Sequence, residues 1–153
     1  MGLKVKWWYK HPNRLQVEIS QMAKKFPHFL LGEAECDKTM NAITVARRNQ
    51  QYWLGDLKTI SGHIYKVVLT YPDFYPGGEI KTFVISPEII HHNHRYGDGR
   101  LCLYSNDHGG NGQGAGPAMT AVSYIGWTAS WLHAHEIFEI KGIWPENNFF
   151  NQN

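Results

Sequence analysis

An α+β domain, with helices to one side of an antiparallel sheet, is predicted by three patterns along this chain. Apolar residues recur at helical spacing over residues 14–26, near the start. Short apolar-rich segments separated by turn residues occupy 29–85. A second stretch with helical spacing begins at Thr120 and runs to about residue 140. Helix, adjacent strands and helix, in that order, predict an N-terminal helix, a four-stranded or so antiparallel meander, a loop bearing a cysteine, and a C-terminal helix.

In the first helix Leu15, Ile19, Met22 and Phe26 form the apolar stripe, and Gln16, Glu18, Gln21, Lys24 and Lys25 fall off it. Pro12 suits a first helical turn and Pro27 ends the pattern. Residues 29–34, 42–47 and 52–60 read as strands, and Ser61-Gly62 turns the chain into the clearest one, residues 63–70. Tyr71-Pro72-Asp73-Phe74-Tyr75-Pro76-Gly77-Gly78 cannot form a central strand, because its prolines lack a ladder donor. Residues 82–85 make a further strand that Ser86-Pro87 stops. The interval 108–117 is too rich in glycine to pack a core and reads as a mobile loop. Thr120 caps the last helix, whose broad apolar face includes Tyr124, Ile125, Thr128, Trp131, Leu132, His135 and Ile137. Gly142 and then Pro145 stand where a helix stop belongs. No repeat or linker divides the chain, so residues 1–153 are read as one domain.

Composition narrows the function classes. A net charge of +2, with scattered basic residues, argues against nucleic acid as the partner. No apolar run is long enough to span a bilayer, and the first residues lack the apolar core of a secretory signal. Two cysteines cannot build a disulfide framework, which favours a reducing cytoplasm. The glycine-rich interval lacks the Gly-Lys-Ser/Thr ending of a phosphate-binding loop.

The chemistry concentrates in His92-Asn93-His94-Arg95-Tyr96-Gly97-Asp98-Gly99-Arg100-Leu101-Cys102-Leu103-Tyr104. Here a cysteine sits in a polar, turn-rich segment, ten residues after His92 and eight after His94. An inert structural cysteine belongs in an apolar strand or helix, whereas a reachable sulfur near hydrogen-bonding groups is a nucleophile. Cys36 is flanked by Glu33, Glu35 and Asp37, whose charges disfavour a thiolate, and is expected to be unreactive. Two other chemistries compete for the same residues. Zinc could take His91, His92, His94, His108 or the His133/His135 pair with Cys102, but one sulfur and dispersed spacing fit a zinc site poorly. A His135–Cys102 protease dyad is the second, and no cysteine-protease signature surrounds Cys102.

These residues resemble the ubiquitin-conjugating (UBC-fold) enzymes, and in particular a divergent bacterial branch found in antiphage operons. That branch includes cyclic-oligonucleotide-based signalling systems that conjugate a cGAS-like nucleotidyltransferase. The family's His-Pro-Asn tripeptide falls on His92-Asn93-His94, its glycine on Gly99, and its apolar-Cys-Leu on Leu101-Cys102-Leu103. Tyr71-Pro72-Asp73-Phe74-Tyr75-Pro76 is similar to the aromatic-Pro-x-x-Tyr-Pro segment of the family. Gly142-Ile143-Trp144-Pro145 looks like the bacterial branch. Nearly the whole chain is covered.

The resemblance implies an α+β UBC-like fold and a protein C-terminus carried as a thioester on Cys102. Transfer to an acceptor amine follows, without metal or organic cofactor. Partners implied are an activating enzyme or an already activated protein C-terminus, a cGAS-like nucleotidyltransferase or ubiquitin-like protein, and an acceptor protein. His94 takes the position of the family's asparagine, where an imidazole N–H could support an oxyanion or its nitrogen accept an amine proton. His92 completes the implied catalytic set. The alternatives are a catalytically silent UBC-fold binding module and a zinc-dependent hydrolase.

Overall fold

The computed structural model describes residues 5–33, 51–103 and 118–145. A short helix α1 (Trp7–Lys10) leads into α2 (Pro12–Lys25), which starts on Pro12 where a missing N–H costs nothing. Four strands follow, β1 (Leu30–Glu33), β2 (Gln51–Lys58), β3 (Ile64–Thr70) and β4 (Lys81–Ser86), and α3 (Ala121–Lys141) closes the described fold. The sheet is an antiparallel meander in the order β1-β2-β3-β4. The α+β architecture and its element order are those the sequence predicts. The predicted strand at 42–47, Cys36 and the interval 108–117 lie outside the described residues.

Register explains the layering. Leu31 pairs with Trp53 and Trp53 with Leu69, so these three share the face on which Tyr65 and Val67 also lie. That face packs with Trp7, Met22, Tyr124, Ile125, Trp131 and Leu132 from the helices into one core. The opposite face carries a smaller cluster in which Tyr52 and Val68 pack with Leu54 and Phe83. All the described helices therefore contribute to one side of the sheet.

Glu18 departs from its predicted place off the apolar stripe. It is fully buried, 0% exposed, at the junction of α2, the 71–75 segment and α3. Its Oε1 accepts from the Tyr71 hydroxyl at 2.7 Å and the Ala121 N–H at 2.9 Å. Its Oε2 accepts from the Tyr75 hydroxyl at 2.6 Å and Arg14 Nε at 3.0 Å. A buried carboxylate is tolerated when paired and hydrogen-bonded in this way. Arg14 also donates to Tyr75 Oη and to the Met119 carbonyl, at 2.8 and 2.7 Å.

The start of α3 needs a second correction. Thr120 holds the N-cap position, but its side chain makes no cap hydrogen bond; its hydroxyl donates to Gln21 Oε1 at 2.8 Å. The first helical N–H, that of Ala121, is satisfied by Glu18 of another helix. At the other end Gly142 adopts the left-handed conformation (φ +75°) that terminates a helix, as predicted.

Candidate active site

The segment carrying Cys102 is a small hairpin. Cys102 N–H donates to the His94 carbonyl at 2.8 Å and Tyr96 N–H to the Arg100 carbonyl at 2.9 Å, flanking an antiparallel bridge between Arg95 and Leu101. Gly99, at φ +93°, takes the turn, and Arg100 N–H donates to Asp98 Oδ1 at 3.1 Å. Alternation along the two arms puts Tyr96, Arg100 and Cys102 on one face and Arg95 and Leu101 on the other. Leu101 and Leu103 are buried, Cys102 between them is half-buried, and the hairpin face bearing the sulfur reaches solvent.

Three anchors fix the hairpin to the fold. Leu101 N–H donates to the Thr82 carbonyl of β4 at 2.9 Å. Trp131 Nε1 of α3 donates to the His94 carbonyl at 3.0 Å, so that one oxygen receives both Cys102 and the helix. Arg95 Nη1 donates to the carbonyls of Ile89 and His91 at 2.7 and 2.8 Å and gathers the preceding strand of chain. His94 itself sits at φ +50°, a region in which asparagine, aspartate and histidine are enriched among non-glycine residues.

Behind the hairpin lies a layer of rings. The His94 imidazole stacks on Trp144 with centroids 4.9 Å apart. His91 packs among Trp131, Phe138 and Trp144. Its Nδ1 accepts from Asn93 N–H at 3.2 Å, so its Nε2 carries the proton and donates to His135 Nδ1 at 2.9 Å. His135 Nε2 then faces Glu139 at 3.6 Å. Burial, then His135 and Arg95, hold His91 below the usual histidine range. Burial also lowers His135, against the opposing pull of Glu139 and Glu136.

Of the residues singled out in the sequence, Cys102 and His94 face one another across the hairpin, whereas His92 is exposed and forms no hydrogen bond to Cys102. His135 is buried against His91 and His133 is exposed, as their spacing on a helix predicts. Among the described residues no three His, Cys, Asp or Glu side chains are grouped so as to hold a metal ion.

Two neighbours of Cys102 escaped the sequence reading. Tyr96 lies diagonal to Cys102 on the same hairpin face, and that neighbour, then burial, push its phenol up to about 12. The Arg100 guanidinium lies over the Tyr96 ring, 4.0 Å from its centroid, and is tied to Asp98 Oδ2 at 2.9 Å. The signal was present: Tyr96-Gly97-Asp98-Gly99-Arg100 is a turn, and pairing across it sets 96 beside 100 and 94 beside 102.

A helical layer over a four-stranded meander, with a cysteine hairpin between sheet and long helix, defines a protein of the ubiquitin-conjugating type. The sequence profile of type II CBASS E2 proteins matches residues 18–151, and the chain belongs to that family. Its role is accordingly the ubiquitin-conjugating-like one in CBASS, with E1-like and target proteins as partners in general terms. Among solved structures it is similar to human ubiquitin-conjugating enzyme E2 G1, at 21% identity over 79% of this chain and 93% of that one, with a TM-score of 0.48. No curated protein matches the sequence. Among the described residues no helix is long and apolar enough to cross a membrane.

Proposed function

We propose that Cys102 carries a protein C-terminus as a thioester and passes it to an acceptor amine. In the first step the Cys102 thiolate attacks the activated C-terminal carbonyl, most simply a thioester on an activating enzyme, whose thiolate departs. In the second, an amine attacks the Cys102 thioester and the C–S bond breaks. The electron pair returns to sulfur and the amine's proton goes to solvent. A thioester is already a reactive acyl donor, so the domain chiefly has to position it. No metal or organic cofactor is required.

The observation that carries this reading is the setting of Cys102: half-buried between two buried leucines, with its main chain held by the His94 carbonyl. His94 supports the site through that carbonyl, and its ring, stacked on Trp144, is assigned the part of an oxyanion donor or proton acceptor during transfer. His92, exposed outside the hairpin, is assigned the lesser part of a proton acceptor reached through solvent. The carried protein is a cGAS-like nucleotidyltransferase or a ubiquitin-like protein. Residues 1–153 act as one domain, in the reducing cytoplasm that a working thiol needs.

Trapping tests the proposal. Cys102→Lys, incubated with the activating enzyme and the carried protein, should give a stable isopeptide adduct at residue 102 by mass spectrometry. Cys102→Ala should abolish conjugation and Cys36→Ala should leave it intact. Unaltered conjugation by Cys102→Ala would instead mark the chain as a binding module.

A further inference from the structure

We propose that Trp131 is a positioning residue for acyl transfer at Cys102. Its indole N–H fixes the His94 carbonyl on which the Cys102 main chain rests, and so sets where the sulfur stands between α3 and the sheet. This rests on the reading of Cys102 as the acyl carrier.

Two hydrogen bonds join α3 to Cys102. Trp131 Nε1 donates to the His94 carbonyl at 3.0 Å, and Cys102 N–H donates to the same oxygen at 2.8 Å. A carbonyl oxygen has two lone pairs, so it holds both donors at once. Next to Cys102, Leu101 N–H donates to the Thr82 carbonyl of β4 at 2.9 Å. Cys102 is thus suspended between sheet and helix, with Thr82 holding one side and Trp131 the other. Trp131 is 0% exposed and lies near the middle of α3, so its N–H is placed by the core and not by a loop. The rings of His91 and His135 lie nearly parallel to its indole, at 21° and 12°, with centroids 5.8 and 5.7 Å away. Trp144 stacks on the His94 ring, but its buried Nε1 has no acceptor among the described residues, so it holds that ring by contact alone.

The consequence for transfer is positional. His94 sits at φ +50°, a conformation unfavourable for a residue with a side chain, and the direction of its carbonyl depends on it. The Trp131 N–H favours that direction. Without it the peptide between His94 and Arg95 gains freedom to turn, and the acceptor of Cys102 N–H turns with it. Cys102 N–H is committed to this carbonyl, so it holds the sulfur in place and is not a donor for an oxyanion. During discharge an amine nitrogen bonds to the acyl carbon, the C–S bond breaks with its electron pair returning to Sγ, and the amine's proton goes to solvent. Trp131 enters none of these steps; it fixes where Sγ stands while they occur, and small misplacements of reacting atoms are costly in rate.

Variants made in a Cys36→Ala background separate donation from packing. Cys102 is acylated by exchange with a short peptide thioester, and single-turnover discharge to free lysine is followed by intact mass. Replacing Trp131 by 3-benzothienylalanine keeps the bicyclic ring and deletes the N–H. Discharge should then slow by about three- to tenfold, and the Cys102 amide should exchange its hydrogen faster by a similar factor. Trp131→His gives up the six-membered ring but keeps an N–H at the equivalent ring position. It should be less stable to urea than the benzothienylalanine variant and yet discharge faster, the reverse of what packing alone dictates. Leu132→Ala, at an equally buried neighbour on α3, should lose stability and discharge at the parental rate. Discharge rates that rank with urea stability overturn the proposal, as does a parental rate or unchanged Cys102 amide exchange in the benzothienylalanine variant. If the parent thioester reacts with lysine no faster than the same peptide thioester of N-acetylcysteine, the acyl-carrier reading fails, and exchange at the Cys102 amide still decides whether Trp131 holds the hairpin.

Discussion

At the scale of single residues, His94 shows how one position can answer to two demands. Its imidazole takes the position that the resemblance gives to asparagine, its carbonyl accepts from Cys102 N–H and Trp131 Nε1, and its ring stacks on Trp144. The left-handed φ of +50° gives a physical reason for the pairing of types: asparagine and histidine are among the few side chains that accept it. His94→Asn should therefore leave the urea unfolding midpoint close to the parent's. His94→Val, β-branched in that conformation, should lower stability by about 1–2 kcal/mol. The half-buried place of Cys102 on a turn-bearing segment was legible from its polar, glycine-flanked setting. The packing of Arg100 on the Tyr96 ring was not, because reading 97–99 as a generic loop conceals which residues the turn sets side by side.

At the scale of elements, α3 and the hairpin are coupled through the chain Asn93 N–H, His91, His135 and Glu139. Both histidines are held below the ordinary value of 6.5, so the folded protein binds fewer protons than the unfolded chain once the pH drops below that value. Their stabilising contribution is complete above 6.5 and is lost as the pH falls from there toward the depressed values. A proton on His91 Nδ1 would also set two donors face to face with Asn93 N–H. Arg95 and His92 reinforce this loss, and Glu136 and Glu139 oppose it. Urea midpoints measured at acidic and at neutral pH should fall on acidification, and His91→Phe, which keeps a ring among Trp131, Phe138 and Trp144, should shrink the difference. The bounds of the strands and of α3 were legible from turn residues and apolar period. The His91–His135 contact was not, since a pair separated by 44 residues leaves no mark on local periodicity.

At the scale of the whole molecule, Glu18 is the point where α2, the tyrosine–proline segment and α3 meet. Sequence pattern placed a charged residue outward by default, as the base tendency of charges requires. What overrode it was a set of donors brought from residues 14, 71, 75 and 121, none of them visible at helical spacing from Glu18 except Arg14. Glu18→Ala removes the buried acceptor of Arg14 Nε, of the Tyr71 and Tyr75 hydroxyls and of the Ala121 N–H, and should cost about 3–5 kcal/mol in urea denaturation. Glu18→Gln keeps the volume and two acceptor positions and should cost less.

The same carboxylate has a kinetic consequence. The first turn of α3 receives its acceptor from a residue 103 positions earlier in the chain. The Ala121 N–H of that turn is met by water while the helix is an isolated nascent segment, and reaches its protein acceptor only when α2 has docked. Long-range closure of this kind is assigned to the late side of the folding barrier. In a chevron experiment Glu18→Gln should accordingly steepen the loss on the unfolding limb, with faster unfolding and a folding rate close to the parent's. The lifetime of the native state, more than its rate of formation, is what this one buried side chain governs.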